Sequence, residues 1–249
     1  MPKSPLLTTL AGLLVLAMPT AACSFGSEAK GQEVSPQGSG DARSYATRGF
    51  TAVSSNGSDP VDIRVGGDFS VRAEGAASDL DQLRIARDGD TLLIGMKKGL
   101  HWGNRRNVRI LVTLPRLAEA GIAGSGQMRI DRIDGARFKG GIAGSGDLTI
   151  GAMRVEQAEL GVAGSGSVQA GGRVGALKIG IAGSGDIRAK GLHARQAEVE
   201  IAGSGRVAVQ VDGPAKVSLS GSGDADLGPN SVCTVRKAGS GSARCGRTL

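Results

Sequence analysis

Two histidines, three cysteines and a serine that recurs in a fixed setting are the residues of this 249-residue chain whose types could do chemistry. His101 and His193 lie far apart, and neither has a cysteine or carboxylate cluster at metal-ligand spacing, so no metal site and no cofactor is expected. A glycan lyase or hydrolase would need acids and bases gathered on one face. Here the carboxylates either alternate with lysine or are scattered. The recurrent serine sits in Gly-Ser-Gly, without the Gly-x-Ser-x-Gly elbow or a nearby base, and seven copies argue for scaffold rather than nucleophile. Asp147, Asp186 and Asp224 follow that motif directly and raise a calcium reading. The equivalent positions elsewhere are Gln127, Ser167, Arg206 and Ser242, and an arginine in the ladder opposes a cation. No catalytic residue is expected, and the enzyme reading ranks last.

The cysteines point to a compartment instead. Leu6 to Met18 is an apolar run behind Lys3, too short to span a bilayer as a helix, and it matches a signal-peptide core. Thr20 and Ala22 suit ordinary secretory cleavage, whereas Cys23 directly after them resembles a bacterial lipobox in which the cysteine becomes the lipidated N-terminus. The second reading is preferred, although Thr20 stands where lipoboxes usually carry leucine. Lipidation of Cys23 leaves Cys233 and Cys245 as a pair, which an oxidising compartment would link. Ser24 to about Arg48 is polar and Gly/Ser-rich and reads as a flexible tether.

The elements that would position any site come from the repeat. Gly-Ser-Gly recurs at Gly124-Ser125-Gly126, Gly144-Ser145-Gly146, Gly164-Ser165-Gly166, Gly183-Ser184-Gly185, Gly203-Ser204-Gly205, Gly221-Ser222-Gly223 and Gly239-Ser240-Gly241. The spacings are 20, 20, 19, 20, 18 and 18 residues, a register that a random linker would not keep and that marks a solenoid. Aligned on the first glycine, apolar residues fall at alternate positions on both sides, such as Ile142 and Leu160 before it and Leu148 and Ile150 after it. The pattern predicts two half-buried strands per coil joined by a tight Gly-Ser-Gly corner. Five residues before each corner stand Glu119, Lys139, Glu159, Lys178, Glu198, Lys216 and Thr234. In a parallel in-register stack these side chains lie ~4.8 Å apart, and alternation turns repulsion into attraction. That favours an all-β parallel β-helix over an antiparallel sandwich. Cys233 and Cys245 flank the last corner symmetrically, so a disulfide there would clamp the terminal coil.

Phe50 to Pro115 reads as six strands, Phe50–Ser54, Val61–Val65, Phe69–Ala73, Leu83–Ala86, Thr91–Gly95 and Val108–Leu114, which would form irregular coils that start and cap the stack. Within it lies a basic loop, Lys97, Lys98, His101, Trp102, Arg105 and Arg106, carrying the only tryptophan. It is either a candidate partner-binding loop for an anionic glycan or headgroup, or a cap in which Trp102 covers the first coil, the cap being preferred.

Gly49-Phe50-Thr51-Ala52-Val53, Val61-Asp62-Ile63-Arg64-Val65, Trp102-Gly103-Asn104-Arg105, Val112-Thr113-Leu114-Pro115 and the serial Ile-Ala-Gly-Ser-Gly resemble the bacterial putative auto-transporter adhesin, head GIN domain proteins. The resemblance covers roughly Thr47 to Cys245. It implies a right-handed β-helix similar to pectin-lyase-like folds, without catalytic residues, in exported bacterial proteins for which adhesion is the usual suggestion. It transfers no functional residue.

Composition agrees with that reading. Forty-two glycines and six aromatics (four Phe, one Tyr, one Trp) suit a narrow aliphatic interior with glycine at its corners, and the glycines lack the every-third period of collagen. A net charge of +7 allows attraction to anionic envelope polymers, while the export signal and the lack of a basic stripe with interleaved aromatics disfavour nucleic acid. The expected organisation is a signal peptide over 1–22, a lipid-anchored linker over 23–48 and one β-helix over 49–249, regular from 119. The expected function is a non-catalytic envelope lipoprotein that serves as a binding or adhesion surface, held to the membrane by its lipid alone. The alternative is a structural or regulatory envelope protein that binds another envelope protein. The place is the periplasm or outer membrane, or a soluble exported form if Cys23 is not lipidated.

Overall fold

The computed structural model describes residues 31–97 and 108–249. The expected signal segment, Cys23 and the loop residues Lys98, His101, Trp102, Arg105 and Arg106 lie outside them. The chain is all-β, with parallel coils stacked into a β-solenoid of about 6 turns. Its first half carries β1 (Gln32–Glu33), β2 (Pro36–Gln37), β3 (Ala42–Tyr45), β4 (Ala52–Gly57), β5 (Val61–Val65), β6 (Ser70–Glu74), the single helical turn α1 (Ala77–Leu80), β7 (Leu83–Asp88), β8 (Thr91–Met96) and β9 (Arg109–Leu114). The second half carries β10 (Glu119–Gly124), β11 (Gln127–Gly144), β12 (Asp147–Gly164), β13 (Ser167–Gly183), β14 (Asp186–Gly203), β15 (Arg206–Val211), β16 (Pro214–Gly221), β17 (Asp224–Asp226), β18 (Val232–Ala238), β19 (Ser242–Arg244) and β20 (Arg247–Thr248).

Each corner works through backbone geometry. The first glycine takes positive φ, 129° at Gly144 and 126° at Gly164, a region L side chains avoid. Its carbonyl then accepts two N–H groups from the next coil: Ser165 and Gly166 both donate to Gly144 at 3.0 Å. A Cβ on the second glycine would collide as well; at Gly146 it would stand 2.5 Å from the Gly126 carbonyl and 2.9 Å from Ile122 Cγ2. The serines between them point outward, and Ser222 and Ser240 share a hydrogen bond of 3.1 Å.

Between corners, the coil has more turns than the two-strand expectation. In β12 the inward positions are Leu148 and Ile150, then Met153 and Val155, then Ala158, Leu160 and Val162, so a third inward-facing segment stands between the two that the sequence pattern suggests. Register carries each column into the next coil, with Leu160 opposite Ile179 and Val162 opposite Ile181. Burying one such Ile or Leu contributes about 1.5–3 kcal/mol, so many similar ladders rather than one large centre hold the molecule together. Phe138 is an instructive exception. It is 2% exposed in a column otherwise filled by Ala158, Leu177, Ala197 and Ala215. Space comes from Gly140, the only regular coil's glycine in the leucine-valine column, where a Cβ would stand 3.0 Å from the Phe138 ring.

The front of the molecule is more regular than expected. β4 pairs in parallel with β10, placing Gly57 opposite Gly124, so Gly57-Ser58-Asp59 is a corner whose second glycine is replaced by aspartate. β8 and β9 form a further coil beneath β4 and β5. On its outer edge the direction reverses: β7 pairs antiparallel with β8, and β6 with β9. The linker expectation needs correction here. Residues 32–45 are part of the sheet, with β1 antiparallel to β7, β3 to β6, and β2 to β3, and Tyr45 is 4% exposed. These strands cover edges whose unpaired N–H and C=O groups would otherwise face water or another chain. Strands of two to four residues are too short to show a hydrophobic period.

Candidate functional site

The register expected for the Glu119-to-Thr234 column is present: Lys139 faces Glu159, Glu159 faces Lys178, Lys178 faces Glu198 and Glu198 faces Lys216. No pair of this column closes to an ion pair among the described residues, so its contribution is long-range and modest. The column forms one rim of a groove of about 790 Å³ that runs along the solenoid axis to Leu249, floored by Phe138, Ala158, Leu177, Ala197 and Ala215.

A second groove, of about 630 Å³, follows the third inward segment. Strand alternation buries Met153 and Val155 in β12, and so turns Arg154 and Glu156 outward; β13 and β14 repeat this with Arg173, and with His193 and Arg195. In-register stacking then sets Arg154 opposite Arg173 and Arg173 opposite His193. Arg195 reaches Glu156 two coils below at 2.9 Å, passing over Gly175, where a Cβ would stand 2.7 Å from the guanidinium. His193 Nδ1 lies 3.2 Å from Asp212, which also accepts the Asn230 side-chain N–H at 2.8 Å. Those two hydrogen bonds, Asn230 first, hold the Asp212 carboxyl below the usual carboxylate range. No acidic partner for His193 is visible in the sequence; the fold supplies Asp212, because a turn at Asp212-Gly213 in the next coil comes level with it. The signal was present in the repeat. Asp134, Arg154, Arg173 and His193 all stand ten residues before a first glycine, a column that two-strand alignment does not separate.

The charged residues lining this groove are Arg154, Glu156, Arg173, His193, Arg195 and Asp212, so it presents guanidinium, imidazole and carboxylate groups. Among the described residues, no group of three or more His, Cys, Asp or Glu could hold a metal ion. The aspartates that raised the calcium reading are used in the ladder: Asp147 accepts the Ser167 hydroxyl at 2.5 Å, Asp186 pairs with Arg188 at 2.7 Å, and Asp224 accepts both the backbone and hydroxyl of Ser242.

Cys233 and Cys245 form a disulfide with their Cα atoms 6.2 Å apart, across the last corner. Lys97 is the one residue of the basic loop within the described part, and its ammonium donates to the Asp81 carbonyl at 2.9 Å. Val108, just before β9, donates its N–H to the buried Asp59 carboxylate at 2.9 Å, so the corner aspartate holds the start of that strand.

The model of the family described as putative auto-transporter adhesin, head GIN domain matches residues 49–231. The chain belongs to this family. Solved structures repeat its fold at low identity. A putative adhesin from Bacteroides fragilis is 18% identical with a TM-score of 0.76, over 84% of this chain and 98% of that one. A putative adhesin from Parabacteroides merdae is 13% identical with a TM-score of 0.67, over 84% and 97%. A protein from Parabacteroides distasonis named as a putative lipid binding protein is 21% identical with a TM-score of 0.63, over 84% and 98%. Among curated proteins, none matches the chain. The family and these structures are named for adhesion or lipid binding, not for catalysis. No helix among the described residues is long and apolar enough to cross a membrane.

Proposed function

We propose that this GIN-domain protein is a non-catalytic, exported protein of the bacterial cell envelope, lipid-anchored through Cys23, whose solenoid is a binding or adhesion surface. The observation that carries the reading is the pair of grooves along the axis, each lined by successive coils rather than by one loop cluster. Such a surface meets an extended partner along its length, whereas a small substrate needs a closed, convergent site. Residues 1–22 serve as the signal peptide, and the tether after Cys23 is short, because the sheet begins at Gln32. The loop residues Lys97, Lys98, His101, Trp102, Arg105 and Arg106 are a candidate partner-binding loop, the cap reading of the same loop being preferred.

Palmitate labelling of the expressed chain tests the anchor: incorporation lost in Cys23→Ala supports it, and unchanged incorporation removes it. Capture from solubilised envelopes, run beside a glycan-array screen, tests the surface. Saturable binding in either supports the reading. Turnover of a polymer, abolished by substitution of one acidic residue, would replace it with an enzyme.

A further inference from the structure

The second groove contains a feature at odds with the rest of the stack. Where the Glu119-to-Thr234 column alternates charge from coil to coil, Arg154 and Arg173 place like charges in adjacent coils. Like charges directly opposite one another in a sheet are destabilising. Neither guanidinium has an ion pair or side-chain hydrogen bond to any described residue. The other charged groups of the groove are already matched. Arg195 is held by Glu156, and Asp212 is divided between His193 and Asn230. Asp134 stands opposite Arg154 on the preceding coil without closing an ion pair to it, and the two arginines face the groove with their donors unused.

We propose that Arg154 and Arg173, flanked by His193, form a binding site for a phosphate-type oxyanion. This names the ligand chemistry of the surface and rests on the binding-surface reading. Each guanidinium presents a planar fork of N–H donors that engages two oxygens at once. One fork satisfies a carboxylate, which is planar. Two forks stacked in neighbouring coils suit a tetrahedral oxyanion with oxygens directed to both, and its charge converts their repulsion into attraction. The Glu156–Arg195 pair over Gly175 forms the wall beside the site, and His193 closes the row on the next coil. Because the groove follows the axis, successive phosphates on one ligand or a row of headgroups could be met without any change of the fold.

The test compares the purified full chain with Arg154→Gln/Arg173→Gln and with Arg236→Gln/Lys237→Gln. The second variant removes the same number of charges from the exposed terminal coil, remote from the groove. Binding of linear polyphosphate is measured by calorimetry at low salt, and binding to phosphatidylglycerol-containing vesicles by flotation, with phosphatidylcholine vesicles as reference. Loss of the two charge-assisted contacts is expected to weaken binding by about tenfold or more in the groove variant and by less than about twofold in the control. A selective loss with polyphosphate identifies a soluble phosphate chain as sufficient; a selective loss with vesicles alone identifies a lipid headgroup as the source. Equal weakening in both variants would show attraction by net charge only and overturn the site, as would no binding to any probe. The full chain and both variants should give the same thermal melt, since the substituted residues are exposed. Envelope capture that survives Arg154→Gln/Arg173→Gln would overturn this site and leave the binding-surface reading standing.

Discussion

Gly164 shows how a single residue type sets the corner. Its φ of 126° and the approach of the Gly144 carbonyl exclude a Cβ on two separate grounds. Gly164→Ala is therefore expected to cost about 1–3 kcal/mol from backbone strain alone. Gly180→Ala, at a position where a Cβ meets nothing within 4 Å, should be close to neutral. Urea unfolding of the two variants checks this, and equal effects would deny the corner its special conformation. Asp224 illustrates a polar counterpart. Its hydrogen bond from the Ser242 side chain, then the Ser242 backbone, and the charges of Arg206 and Arg244 hold its carboxyl below the ordinary range. A carboxyl whose folded pKa is depressed contributes stability above its unfolded pKa and loses it as pH falls through the folded value. Ser242→Ala should raise the Asp224 pKa towards the ordinary carboxylate range, so protonation begins at higher pH, as read by carbon NMR of the carboxylates. An unchanged titration would remove Ser242 as the main cause.

At the scale of the element, register decides what each residue meets. Lys178 stands between Glu159 and Glu198, so Lys178→Glu would line up carboxylates in three consecutive coils. Like charges directly opposite destabilise a sheet, and two such neighbours should cost about 0.5–2 kcal/mol at low salt. Because these side chains are at the surface, the penalty should shrink in about 1 M salt, where the screening length is about 3 Å. Denaturation at both ionic strengths is the check, and a salt-independent loss would point to packing instead. The last coil has a different support. The Cys233–Cys245 bridge closes the chain across its corner, and β20 adds a short pairing to β18. A bridge closing a loop of this size contributes about 3 kcal/mol in the chain-entropy account.

For the whole molecule the question is how a stack ends. A solenoid offers an open sheet edge at each end, and open edges invite other chains. At the C-terminal end Lys237 stands opposite Leu219 and the disulfide holds the coil. At the other end the chain reverses direction, and β1, β2 and β3 pair over β6 and β7. Removal of residues 1–48 should expose those edges and make the protein self-associate with increasing concentration. Sedimentation velocity would show it, and a monomeric truncated chain would mean that β6 and β7 cap the stack unaided. The same architecture shapes function. Regular coils offer columns rather than clefts, and the surface then differs by which residue type occupies a column, alternating Glu and Lys along one groove and paired arginines in the other.

The stack itself was legible in the chain. A spacing near 20 residues, apolar alternation around each Gly-Ser-Gly and the Glu/Lys alternation identify parallel coils in register, because every residue of a solenoid repeats its environment one coil later. The Cys233–Cys245 pairing was legible for the same reason, since both flank one corner. Other features needed the tertiary structure. The third inward segment, the Gly57-Ser58-Asp59 corner and the Gly140 that admits Phe138 depend on where the chain bends and what it packs against, which a motif alignment does not contain. The capping role of 32–45 depends on edges left open more than 30 residues away, as the pairing of Gln32 with Arg87 shows. His193 and Asp212, and Glu156 and Arg195, meet because they are one and two coils apart in the stack. Local pattern determined the repeating unit; the ends, the bends and the charge partners were decided by neighbours that only the folded stack brings together.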